Sequence, residues 1–201
     1  MRYFGMLLAV LSAADSFAGE KMGVAICGVA HLPRYVIDEA EREVSFVFQA
    51  AEIDVIWLDC EAATAAIRTD SHPKFIIRLR NDWIPRYAGT LSLHAMGRAF
   101  VSSEGDGYLA DVYYPAVRDF AQVWQAKESW LVGYTIAHEL GHLLLGPGHR
   151  AHGIMRTGWS TPEIRAVSQR HLGFERSDQV RMREKLRLES SRGAVPSTEA
   201  P

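Results

Sequence analysis

The stretch Thr135–Met155, TIAHELGHLLLGPGHRAHGIM, holds four of the eight histidines of a 201-residue chain. So many imidazoles in an apolar run call for a partner. His138 and His142 are four residues apart, so on a helix both rings leave one face about a turn apart, which suits a single tetrahedral zinc ion. Glu139 lies about 100° further round the same helix. It would stand beside a metal rather than on it, where a carboxylate can take a proton from an attacking water and pass it to a leaving amine. With 8 His and 14 Glu in 201 positions, roughly 0.02 matches to His-Glu-x-x-His are expected by chance. The structural alternative, two core histidines on backbone carbonyls, buries two imidazoles and a carboxylate with no cation, which is costly.

A catalytic zinc keeps three protein ligands and an open position. Gly146, Pro147 and Gly148 end the helix that Ser129–Leu145 predicts and let the chain turn back. His149 then arrives seven residues after His142, with His152 as its competitor; past the break, counting does not choose between them.

The rest of the chain has room for one well-packed domain. A net charge of -2 argues against a nucleic-acid or anionic-membrane partner, since both would want a basic face. Residues 1–18 read as a secretory signal peptide: Arg2, an apolar run from Phe4 to Leu11, and Ser16-Phe17-Ala18 before Gly19. The plainer alternative is a first buried strand or helix. No apolar run is long enough to span a bilayer, so no stable membrane insertion is expected once the signal is removed. Cys27 and Cys60, an even pair in an exported chain, predict a disulfide, against the alternative of two buried thiols. The expected location is secreted or periplasmic.

Met22–Val29 is a β-compatible apolar run. Pro33 opens a helical stretch, RYVIDEAEREVSFVFQAAEI, with Tyr35, Ile37, Ala40, Val44, Val47 and Phe48 on one face and Glu39, Arg42 and Glu43 off it. Asp54–Asp59 and Lys74–Leu79 are further strands, an order that predicts an α/β start with a crossover. Residues 81–97 read mostly as loop. Arg98–Ser102 and Leu109–Tyr114 form a hairpin across the turn EGDG, which is a solvated turn rather than a full calcium loop. Ser160-Thr161-Pro162-Glu163 opens another helix, Glu175–Glu189 is an amphipathic terminal helix, and residues 191–201 read as a disordered tail.

HELGHLLLGPGH followed by GIM resembles the metzincin clan of zinc metallopeptidases, whose pattern is H-E-x-x-H-x-x-G-x-x-H and then a methionine turn. The chain is also similar to short exported bacterial proteins that carry WLDC ahead of a TIAHELGHLLLG core. The resemblance implies His138, His142 and His149 as ligands of one zinc per chain, Glu139 as general base, Gly146 as the clan glycine and Met155 as the turn methionine. Gly146 and His149 each come one residue late, a rotation of the helix exit by about 100° that the loop must absorb. The tyrosine that often follows the methionine is replaced here by Arg156, Thr157 and Gly158. Trp159 is expected in the core rather than the cleft, and His31, His72, His94 and His171 lack ligand spacing.

The expected protein is therefore α/β (α+β): a mixed twisted sheet of about five strands, an N-terminal crossover helix, a zinc-binding helix, a Met-turn and C-terminal helices. Residues 19–190 form a single catalytic domain, acting as a monomer on peptide or protein. Peptide would pair along the outer strand, Arg98–Ser102. Two other readings stand beside this one. In one, a gluzincin-type peptidase takes Glu163 as third ligand; in the other, a zinc-containing protein binds and cuts nothing.

Overall fold

The computed structural model describes residues 19–28, 32–61, 63, 74–82 and 95–193. The expected signal peptide, residues 1–18, lies outside them, as do residues 194–201 of the expected tail. The chain runs β1 (Glu20–Cys27), α1 (Arg34–Gln49), β2 (Ile53–Leu58), β3 (Lys74–Arg80), β4 (Gly97–Phe100), β5 (Leu109–Tyr113), α2 (Tyr114–Trp124), α3 (Glu128–Leu145), α4 (Thr161–Ser168) and α5 (Arg176–Gly193). The five strands make one sheet in the order β2-β1-β3-β5-β4. β1 pairs in parallel with β2, Glu20 opposite Ile53, and with β3, Gly23 opposite Lys74; β3 pairs in parallel with β5. β4 alone runs antiparallel, Phe100 opposite Leu109, and it closes one edge of the sheet. This is the mixed α/β architecture that the order of apolar runs predicts.

The reasons are local. β1 sits between two parallel neighbours, and residues 22–26 are all buried, as a strand covered on both faces requires. In α1 the residues Val36, Ile37, Ala40, Val44, Val47 and Phe48 recur at helical spacing and are all buried against the sheet and α3. Two residues break the expected pattern. Tyr35 is 65% exposed at the helix start, and Glu43 is buried at 1% because Arg170, far along the chain, reaches in to pair with it. α1 also stops at Gln49 rather than running on, since Ile53 already belongs to β2.

α2 is the element the sequence pattern left unread. It follows β5 with no intervening loop, and its aromatic start, Tyr113-Tyr114, reads as a continuing strand. Pro115 at the first turn and the buried Ala116, Val117 and Ala121 are the helical signals in it. α3 passes beneath the sheet and is buried on nearly every side, from Leu131 to Leu144. α4 opens with the expected capping box, Ser160 and Glu163 each holding the other's backbone N–H. The EGDG turn is drawn together by Ser102 Oγ, which accepts from the N–H groups of Glu104 and Asp106.

Cys27 at the end of β1 and Cys60 just beyond β2 form a disulfide, with Cα atoms 5.7 Å apart. It joins neighbouring parallel strands at their C-terminal ends. Thiol titration of the denatured, unreduced protein should find no free thiol. Closing a loop with a sequence separation of 33 constrains the unfolded chain by up to about 4 kcal/mol, so Cys27→Ser with Cys60→Ser should cost roughly 2–4 kcal/mol in denaturant titration. Two free thiols, or an unchanged midpoint, would contradict the bridge.

Candidate metal centre

The centre is built on the last two turns of α3. Its helix is apolar all round, so the polar side chains it carries there, His138, Glu139 and His142, are taken out of water with it. The helix ends at Gly146, whose φ of 84° is left-handed, and the loop that follows swings His149 back over the same face. The ligand-capable nitrogens of His138, His142 and His149 all lie within 4.8 Å of one another. Their ring centroids are 4.8 Å apart for His138 and His142, 5.4 Å for His138 and His149, and 4.8 Å for His142 and His149. His152 is exposed and outside this group, so the loop brings in the first of the two candidates.

The proton positions follow from the partners. His138 Nδ1 lies 2.6 Å from the carbonyl oxygen of Ile154, and His142 Nδ1 lies 3.3 Å from that of Gly146. A carbonyl only accepts, so each Nδ1 must carry the hydrogen, and each Nε2 is left with a lone pair. Those two Nε2 atoms face each other at 3.1 Å. With no proton between them they repel, and a cation is what satisfies both while the third imidazole completes the set. Burial also keeps the rings neutral. It pushes the His138 pKa down to about 4, against the pull of its bond to Ile154, and it lowers His142 and His149 as well. Neutral imidazole is the form that binds a metal.

Glu139 is 4% exposed and lines the same cavity, of about 680 Å³, as the three histidines. Burial pushes its carboxyl up to about 8, a hydrogen bond from the Ala99 backbone acting the other way. That bond comes from the edge strand β4, which approaches so closely that a Cβ on Gly97 would lie 2.7 Å from Glu139 Cγ. A glycine is required there, and nothing in the local sequence marks it. Phe120 and Thr135 complete the apolar side of the cavity.

Met155 is buried beneath α3, its sulfur against Gly141, the residue before His142. A side chain at 141 would also meet the Phe174 ring at 2.8 Å, so this glycine, too, makes room for what lies under the metal face. Trp159 is buried as expected and nonetheless borders the cavity. Its Nε1 donates to the same Ile154 carbonyl that holds His138, and its ring stands edge-on to His138 at 6.1 Å. Glu163 does not join the histidines. It accepts from Ser160 N at 2.9 Å and from Arg156 at 2.6 Å. Burial tends to raise its pKa, but those bonds outweigh it and hold the carboxyl low. A third-ligand role for Glu163 therefore finds no geometry here. His171 is exposed, and His31, His72 and His94 lie outside the described residues.

No protein-family model matches the chain, and no curated protein does. Among solved structures it is similar to archaemetzincin from Methanopyrus kandleri, at 18% identity and a TM-score of 0.51, over 87% of this chain and 99% of that one. It also aligns with metalloproteinase-II from Bacteroides fragilis at 18% identity and a TM-score of 0.48, over 85% of this chain and 54% of that one. The first likeness shows a shared fold across almost the whole of the archaeal protein.

Two outcomes are expected. Zinc content after dialysis should fall sharply in His149→Ala and stay at the wild-type level in His152→Ala; the reverse would move the third position to His152. In metal-free protein, the raised pKa of Glu139 gives stability that is present below 4.5 and lost as pH rises toward about 8. The lowered pKa of His138 gives stability that is present above 6.5 and lost as pH falls toward about 4. Denaturant midpoints of chelated protein should thus decline between pH 6.5 and 8, and Glu139→Gln should flatten that decline; an equal decline in the variant would contradict the assignment.

Proposed function

We propose that this protein is a zinc-dependent endopeptidase of the metzincin clan, with His138, His142 and His149 holding one zinc ion, Glu139 as general base and Met155 as the turn methionine. One observation carries the reading: the Nε2 atoms of His138 and His142 face each other at 3.1 Å beside a third imidazole, with a buried carboxyl in the same cavity. Zinc in such a site supplies Lewis acidity, polarising a scissile carbonyl and making water more acidic. Glu139 then accepts the proton of the attacking water and delivers it to the leaving nitrogen. A cation beside it favours the ionised form that this role needs.

β4 supports the endopeptidase part of the reading. It is an edge strand, its other side pairs with β5, and Gly97, Arg98, Ala99 and nearby Val101 border the cavity. Among the described residues no strand pairs with the outer side of β4, where an extended peptide can add by main-chain hydrogen bonds beside Glu139, which already takes up the Ala99 N–H. The substrate class is accordingly protein or peptide, with no role for nucleic acid. A single domain over residues 19–190, monomeric and exported after loss of residues 1–18 to the periplasm or the medium, completes the proposal. The disulfide supports export, since such bonds persist in oxidising compartments, and no helix among the described residues is long and apolar enough to cross a membrane.

Glu139→Gln keeps the size of the side chain and cannot accept a proton. Cleavage of a peptide library by the zinc-loaded variant should fall by about 10²- to 10⁴-fold while zinc content and folding persist. Zinc loss in the variant would make Glu139 a ligand or a support for one, and unaltered cleavage would place the activity elsewhere. Wild-type protein that holds zinc and cuts no peptide would favour the binding-protein reading.

A further inference from the structure

His149 is the least secured of the three histidines. His138 and His142 are fixed by a buried helix and by carbonyls at their Nδ1 atoms, whereas His149 is exposed and stands on a loop behind Gly146, Pro147 and Gly148. Gly146 and Gly148 have φ of 84° and 114°, a path that glycine takes without strain. No side-chain hydrogen bond to His149 is present among the described residues.

The next residue is held very differently. The Arg150 guanidinium lies in a two-pronged contact with Asp178 on α5: Nε is 3.0 Å from Oδ2 and Nη2 is 2.7 Å from Oδ1. Asp178 is 1% exposed, and Arg181 stands 3.7 Å from it as a second cation. The Arg150 backbone N–H donates to the Met155 carbonyl at 2.9 Å, tying the same residue to the turn under α3. α5 also takes up carbonyls at the end of α3: Lys185 Nζ donates to Leu143 O at 3.1 Å and Arg181 Nη2 to Leu145 O at 3.3 Å. Only the carboxylate of this pair is buried, and the pair's worth lies less in net stability than in directional bonds that admit one arrangement.

We infer that Asp178 is a positioning residue for the metal centre: through Arg150 it fixes the loop that presents His149, so the C-terminal helix sets the third ligand. The inference rests on the zinc reading above.

Zinc affinity, read by competition with a chromogenic chelator, tests it. Asp178→Asn should bind zinc about 10- to 100-fold more weakly, the usual effect of losing a group that orients a ligand. In the cobalt-substituted protein its visible bands should lose intensity and move toward those of His149→Ala. In a His149→Ala background, Asp178→Asn should weaken the residual zinc binding no further, because the residue through which it acts is gone. Arg170→Gln, which leaves the buried Glu43 without its cation, is the control for lost stability alone and should leave zinc affinity unchanged. Asp178→Asn with Arg150→Gln leaves no unpaired buried charge, and it serves the same comparison if the single variant does not fold. Wild-type affinity in Asp178→Asn, equal weakening with and without His149, or equal weakening in Arg170→Gln would each overturn the inference and leave the zinc reading intact. A wild-type protein that takes up no zinc would overturn both.

Discussion

Two imidazole nitrogens, on His138 and His142, face each other at 3.1 Å. Each ring turns its N–H toward a carbonyl, Ile154 O for His138 and Gly146 O for His142, so the two lone pairs are pressed together by hydrogen bonds made elsewhere. Such an arrangement is unfavourable alone and favourable around a positive charge. Much of the surrounding structure serves to impose it. α3 is buried on nearly all sides, so the rings meet solvent only through the cavity they line, and the turn through Ile154 and Met155 supplies the carbonyl that orients His138.

Close approach is the second theme. Gly141 lets Met155 and Phe174 rise against the underside of α3, and Gly97 lets the edge strand press on Glu139. A methyl group at either position would enter space already filled, by Glu139 at Gly97 and by Met155 and Phe174 at Gly141. Ile154 O ties these parts together by accepting from both His138 and Trp159, the latter a cavity wall. The centre is thus organised by packing beneath it and by polar contacts from α5 beside it.

How much of this could be read in advance depends on how far apart the interacting residues lie. His138, Glu139 and His142 were legible because a helix converts spacing into direction with no further information. The sheet was legible from apolar runs and the EGDG hairpin, down to β4 as an edge. His149 against His152 was open on counting alone, since two left-handed glycines around a proline leave the path free; resemblance chose His149, and the geometry brings that residue to the other two. Glu43 could not be read, because its burial depends on Arg170, and the two depend on a packing between α1 and the segment after α4. Gly97 and Gly141 carry no local mark, their necessity arising from side chains of distant segments. α2 was hidden by an aromatic boundary with no loop, although Pro115 marked its start.

The account turns on three imidazole nitrogens meeting at one cation, and X-ray absorption at the zinc edge of the loaded protein addresses that directly. It predicts one zinc per chain with three imidazole nitrogens at about 2.0–2.1 Å and a light-atom ligand in the remaining position. A shell with only two imidazoles, or one containing sulfur, would contradict it.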